Sequence, residues 1–260
     1  MPGAECGAEV FELAFGLSAL VTRRAAGDLR VAQEELGRTP QRHRRLVDGA
    51  WTIARQVHGA EVVVLARACD PLDVEADAII SGSDDAIVAV LGADCPLVGL
   101  VGSTCFGVVH AGWRGLLAGV VEAALATMGS LGATQITAVL GPCIHPECYP
   151  FGEEDLARLV ERLGPAAAGR SATGAPAANL PGALDAILAR HGLPPARRLG
   201  GCTSCSGPWF SHRGRGDRSR HALALFKRQA GRAVMAGASL LAGEQDFPRP
   251  VEAEWRARRP

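Results

Sequence analysis

Three short segments join metal-capable side chains to strand-like runs: Gln56-Val57-His58-Gly59, Gly92-Ala93-Asp94-Cys95-Pro96 and His110-Ala111-Gly112-Trp113-Arg114-Gly115. The apolar run ending at Leu91 delivers Cys95 to a sheet edge, and the run 106–109 delivers His110 to a similar position. If those two strands are neighbours, thiol and imidazole meet. With His58 added, two imidazoles and one thiolate make a set that suits zinc, with copper as the alternative, and leaves a fourth position for water or substrate. An open position marks a catalytic metal, which can activate water near neutral pH or polarise a substrate oxygen. Taken singly, a strand-end histidine is more often a satisfied structural residue, and a cysteine a small buried hydrophobe. Asp94 is the nearest acid that could move a proton; its plainer role is to orient a ligand or cap a turn. Arg114 opens a helical pattern, where free backbone N–H groups and a guanidinium attract an anion such as phosphate.

Two further groups carry polar chemistry. Cys143, His145, Cys148, Cys202 and Cys205 could close a four-ligand structural zinc site, although the first cluster lacks standard finger spacing and a single C-x-x-C is common by chance. Ser211, His212 and Arg213 put a hydroxyl, an imidazole and a guanidinium into one polar loop whose simplest reading is a solvated basic turn.

The elements that must position these residues read as one α/β domain over residues 1–246. Residues 31–54 carry helix-like pieces divided by Pro40. Short β-rich runs follow at 62–65, 78–80, 87–91, 106–109, 136–140 and 222–226, bounded mostly by Gly, Asp or Ser. Helical periodicity marks 116–128, 153–163 and 180–191, with a loop at 165–178 and a closing helix at 228–242. Residues 247–260 read as a disordered tail. In the 260 residues, 27 Lys and Arg balance 27 Asp and Glu, so bulk charge gives no grip on nucleic acid or an anionic membrane, and a small-molecule partner fits better. No apolar run is long enough to span a bilayer. The run 10–21 imitates a leader, but Glu9 and Glu12 interrupt it and no basic cluster precedes it, which points to a cytoplasmic protein with its eight cysteines reduced.

Read together and in order, the segments resemble the laccase-domain or multicopper polyphenol oxidase family, whose members are also described as zinc-dependent purine nucleoside phosphorylases. The resemblance covers about residues 56–226: QVHG at 56–59, DAIIS at 77–81, ADC at 93–95, HAGWRG at 110–115, GPCI and CY within 141–149, Asn179-Leu180, CT at 202–203 and SHR at 211–213. HAGWRG with an upstream ADC is highly specific. The resemblance implies a mixed α/β sandwich and zinc on His58, Cys95 and His110; the choice of His58 as third ligand rests mainly on it. It also implies phosphorolysis of adenosine, inosine, guanosine and 5′-methylthioadenosine, adenosine deamination as a second reaction, and nucleosides and phosphate as partners of a monomer or homodimer. Arg114 would sit beside the metal as a phosphate partner, with Ser211 and Arg213 lining the pocket. The chain departs from the family pattern at Pro96, Pro150 and Ser219-Arg220, and Thr22-Arg23-Arg24 stands where many relatives have Thr-Arg-Gly-Gly.

Three other classes fit the sequence less well. A cupredoxin-type copper oxidase needs repeated His-x-His motifs, and none of the seven histidines stands two residues from another. A cysteine hydrolase using Cys95 and His110 would leave His58 without a purpose. A binding protein with a vestigial site would show neither metal-dependent nor thiol-dependent turnover.

Overall fold

Strands covered on both faces read as unbroken apolar runs, and such runs build much of this chain's two six-stranded sheets. The computed structural model describes residues 7–229, 231, 233, 234 and 239–241. Its strands are β1 (Ala8–Glu12), β2 (Leu17–Thr22), β3 (Trp51–Thr52), β4 (Val62–Leu65), β5 (Ala78–Ser81), β6 (Ile87–Gly92), β7 (Leu97–Val101), β8 (Phe106–His110), β9 (Thr137–Leu140), β10 (Ala168–Arg170), β11 (Pro176–Ala178), β12 (Arg197–Arg198), β13 (His221–Lys227) and β14 (Ser239–Leu241). The helices are α1 (Gln41–Arg44), α2 (Trp113–Ala118), α3 (Val120–Ser130), α4 (Glu153–Leu163), α5 (Leu180–Arg190) and α6 (His212–Arg215).

One six-stranded mixed sheet has the order β14-β1-β2-β13-β6-β3 and the other β12-β9-β7-β8-β5-β4, with β10 and β11 as a separate hairpin. Side chains alternate across each strand, so every strand feeds two layers. Val88, Val90, Leu223 and Leu225 of the first sheet meet Ile79, Leu97, Val108 and Val139 of the second in the sandwich core. Ile80, Val98 and Val109 face the other way, onto Leu116, Val121, Met128, Leu184 and Ile187 of the helices. Ile87, Ala89 and Phe226 form the first sheet's outer face, covered by Leu29, Val47, Trp51 and Ile53. The protein is thus a layered α/β sandwich. Among the described residues, no helix is long and apolar enough to cross a membrane.

Several expectations change. Residues 31–54 form one short helix, α1, with 3-10 turns and β3, because Pro40, Gly37 and Gly49 interrupt helical continuity while the apolar residues still cover the sheet. The run 10–21, whose leader-like look its glutamates argued against, is a hairpin of β1 antiparallel to β2. β7 follows directly after Pro96 and was not anticipated. The helix over 116–128 starts earlier and is split at Gly119, whose φ of +86° ends α2 before α3 begins. The loop over 165–178 contains the β10–β11 hairpin. Within the anticipated closing helix, residues 239–241 are instead a strand that pairs parallel with the edge of β1. The anticipated tail, 247–260, lies outside the described residues.

Two buried imidazoles make the fold acid-sensitive. His43 Nε2 donates to the Leu29 carbonyl at 3.0 Å and its ring packs edge-on against Trp51; His221 Nε2 lies 3.4 Å from the Pro142 carbonyl. Desolvation lowers both from 6.5 to about 4. The unfolded chain therefore takes up these protons first, so their contribution to stability is whole above about pH 6.5 and is lost as pH falls toward 4. Thermal melts should show the midpoint falling between about pH 7 and 4.5, with a shallower fall in His221→Gln; parallel slopes in the two proteins would contradict this.

Candidate functional site

Asp77 stands immediately before β5 with no exposed surface. Its carboxylate accepts backbone N–H groups from Val57 at 3.1 Å, His58 at 3.0 Å and Gly59 at 2.7 Å, and meets His110 Nδ1 at 2.7 Å. Its own carbonyl accepts the His110 N–H at 2.7 Å. One side chain therefore fixes both a turn and a ring. The turn holds His58 at φ +63°, a left-handed conformation that costs a non-glycine residue about 1–2 kcal/mol. With Nδ1 engaged by the carboxylate, His110 presents Nε2 to the site.

Cys95 arrives by another route. The chain leaves the first sheet at the end of β6 and enters the second at β7, so the turn carrying Asp94 and Cys95 crosses the seam of the sandwich. β6 and β8 lie in different sheets; it is β7 that pairs with β8, placing Leu97 opposite His110. The expected meeting of Cys95 and His110 occurs through that pairing, helped by the Ala111 N–H donating to the Pro96 carbonyl at 2.8 Å. Gln56 secures the other side: its amide exchanges two 2.8 Å hydrogen bonds with the Leu91 peptide.

The ligand atoms of His58, Cys95 and His110 lie within 4.8 Å of one another, with Cys95 Sγ 3.8 Å from His58 Nε2. A Cβ on Gly112 would stand 2.7 Å from the His58 ring and 3.2 Å from Cys95 Sγ, so only glycine lets the start of α2 approach this closely. Burial opposes charge on both Cys95 and His110, but each offsets it for the other. The thiol falls to about 6 under the influence of His110 and His58, and the imidazole rises to about 9 beside Cys95 and Asp77. Thiolate and imidazolium therefore favour one another at the site. Thiolate and imidazole nitrogens are the donors a zinc-class ion takes, and such binding displaces the proton.

Asp94 holds the opposite wall. At φ +115° its carboxylate accepts Thr203 Oγ–H at 2.6 Å, Ser211 Oγ–H at 2.7 Å and the Arg213 N–H at 2.6 Å. These three bonds occupy it as an organiser of the 203–213 segment. Ser211 is completely buried and caps α6 by accepting the Gly214 N–H at 3.0 Å, so its hydroxyl does not line the pocket. Arg213 does line it, with its guanidinium 5.0 Å over the Tyr149 ring. Arg114, expected beside the ligands, is exposed, stacks 4.3 Å over Trp113 and is not part of the pocket wall.

The pocket above His58, Cys95 and His110 has a volume of about 600 Å³, a size suited to a small organic ligand. Arg30, Arg55, Arg213 and Arg220 contribute to its wall, with Trp113 and Tyr149. Asp77 and Thr203 were quoted from sequence only as parts of family motifs, with no role given, and of these arginines only Arg213 was assigned to the pocket. The signal for Asp77 was an acid between two alanines at the head of the apolar run Ala78-Ile79-Ile80, a place where a carboxylate persists only if it is hydrogen-bonded. The dispersed arginines gave no local signal.

Residues 25–227 match the family described as multi-copper polyphenol oxidoreductase laccase, and the chain belongs to that family. A Streptomyces griseus protein named purine nucleoside phosphorylase is 36% identical over 61% of this chain and 66% of its own. A Xylella fastidiosa protein of the same name is 38% identical over 46% of this chain and 48% of its own, and a prokaryotic protein named adenosine deaminase is 30% identical over 55% and 60%. The matched segments thus span about two thirds or less of these relatives' lengths. Among solved structures, YlmD from Geobacillus stearothermophilus aligns with a TM-score of 0.68 at 23% identity, covering 83% of this chain and 93% of that one. The Neisseria meningitidis protein NMB0706 aligns at 0.67 and 22% identity, covering 86% and 100%. These two likenesses establish the fold.

Asp77→Asn keeps the volume but replaces one acceptor oxygen by a donor, so it should weaken the affinity for added zinc, if these three donors hold it, about 10- to 100-fold. Competition against a chelator of known affinity measures this; an unchanged affinity would mean that the carboxylate does not set the ligand geometry.

Proposed function

We propose that the chain is a zinc-dependent purine nucleoside phosphorylase that also deaminates adenosine. The observation that carries the reading is a three-donor centre, His58, Cys95 and His110, at a pocket of nucleoside size whose wall combines arginines with aromatic rings. The names of the relatives supply the substrate class. When bound on those three donors, zinc would supply Lewis acidity beside the substrate.

The chain's own groups divide the remaining work. Trp113 offers a ring face for a flat heterocycle. Phosphate is taken by the wall arginines, with Arg213 the best placed because its backbone is pinned to Asp94 and its guanidinium to Tyr149. This assignment moves the anion away from Arg114. Held there, a phosphate oxygen attacks C1′ of the ribose as the glycosidic bond breaks and the purine leaves with that electron pair. Burial raises the Tyr149 phenol, assisted by the negative charge of Cys95, so it stays protonated and is available to hydrogen-bond the departing base. Asp94 acts by positioning, since its oxygens are already engaged.

One observation favours a second reading. Asp77, His110 and Cys95 follow in the order acid, imidazole, thiol, as in a cysteine hydrolase. In that reading, the strained turn that aims His58 at the same sulfur serves no step. The two readings separate cleanly: a phosphorylase loses turnover on chelation and recovers it with zinc, whereas a hydrolase resists chelators and is lost on alkylation of Cys95.

Adenosine or inosine incubated with the zinc-loaded protein should yield free base only when phosphate is present, and His110→Ala should lose both zinc and turnover. Base release by the metal-free protein would overturn the proposal. Arg213→Ala should raise the KM for phosphate by about tenfold or more, the scale of a lost charge-assisted hydrogen bond, while zinc content stays at the wild-type level; an unaltered phosphate KM would move the anion site elsewhere on the wall.

A further inference from the structure

A second group of donors lies apart from the His58, Cys95 and His110 centre and shares no residue with it. Glu147 and Cys148 belong to the single 3-10 turn Pro146–Cys148, while Cys202 and Cys205 flank a turn that follows β12. Their four ligand atoms lie within 4.8 Å of one another. Of the five downstream residues considered from sequence, Cys143 and His145 fall outside this set, and Glu147 enters it.

The backbone prepares the arrangement. Cys143 and Cys202 form a parallel bridge, and the Thr203 N–H donates to the Cys143 carbonyl at 3.0 Å, locking the two loops together. Ser206 closes the second loop by donating its N–H at 3.1 Å and its hydroxyl at 2.9 Å to the Cys202 carbonyl. The His145 N–H donates to Cys202 Sγ at 3.4 Å, the kind of bond that supports a thiolate ligand, and His145 Nδ1 lies 3.6 Å from a Glu147 oxygen. Cys202 and Cys148 pack with the hydrophobic core, but Glu147 and Cys205 are exposed, so packing does not account for their place in the cluster.

We propose that Cys148, Cys202, Cys205 and Glu147 form a second metal site, closed and structural, for a thiophilic divalent cation of the zinc class. Four donors complete a tetrahedron and leave no open position, in contrast to the three-donor centre in the pocket. Three sulfurs select zinc-class ions over magnesium or calcium. The site's place in the fold gives it a purpose. Thr203, inside the Cys202–Cys205 turn, donates to Asp94, and Tyr149, next to Cys148, lines the pocket. An ion here ties together the two loops that shape the pocket wall.

Metal counting by mass spectrometry on the full chain, purified under reducing, oxygen-free conditions and equilibrated with buffered zinc, tests the proposal without reading turnover. The expected content is about two zinc ions per chain in the wild type, about one in Cys205→Ser, Cys148→Ser or His110→Ala, and close to none in His110→Ala combined with Cys205→Ser. Cobalt loaded into His110→Ala should give strong thiolate charge-transfer absorption that Cys205→Ser weakens. Circular dichroism confirms that each variant is folded; Cys205 is exposed, so its replacement leaves the core intact. A wild-type content of about one that vanishes with His110→Ala overturns the proposal. So does a content unaffected by both cysteine variants, or an intact mass showing a disulfide among the three cysteines after reductant-free handling with no second ion before it. Because nucleoside turnover is not measured, failure of the phosphorylase reading would leave these outcomes unaltered.

Discussion

The buried carboxylate of Asp77 is the constraint on which the site depends. A fully buried acid is tolerated only when its oxygens are satisfied, and here three consecutive N–H groups of one turn and the ring of His110 satisfy them. Those bonds have consequences beyond solvation. They hold His58 in a left-handed conformation, choose which nitrogen His110 presents, and tie the loop before β4 to the ends of β5 and β8. Remove the charge and both imidazoles lose their reason to face the same sulfur.

The second ordering centre, Asp94, does for the far wall what Asp77 does for the floor. Its three short hydrogen bonds gather Thr203, Ser211 and Arg213 from a segment more than a hundred residues away in sequence. Asp94 neighbours Cys95 at the point where the chain passes from one sheet to the other, so the seam of the sandwich is also where the two acids' territories join. The pocket is built there because both sheets contribute strand ends to it. Gly112 completes the junction by letting α2 approach the ligands without a side chain in between.

How legible this was depends on the range of the forces involved. β5, β6, β8 and β13 announced themselves as apolar runs, and α4 and α5 by their periodicity, because both signals are local. β1 and β2 were missed since the apolar run 10–21, which Glu12 interrupts, carries no clear local period, and only the pairing of β1 with β2 and of β2 with β13 decides. Residues 31–54 carry apolar positions that suit a helix, yet they serve as a cover over a sheet face, with Pro40 preventing the helix. Cys95, His110 and Asp94 were legible as candidates, although the strand imagined as neighbour to β8 was β6 rather than β7. Arg114 illustrates the limit: sequence put a cation at a helix start, whereas the pocket draws its arginines from residues 30, 55, 213 and 220, which only the tertiary fold brings together.

The proposed zinc centre is tested most directly by diffraction at the zinc absorption edge from crystals of the zinc-loaded protein. An anomalous peak should lie about 2.1 Å from Nε2 of His58 and of His110 and about 2.3 Å from Cys95 Sγ, with its fourth position directed into the pocket. Zinc-loaded crystals with no peak among these three residues, and with the Cys95 thiol free beside His110, would contradict the metal reading and leave the thiol and imidazole to act alone.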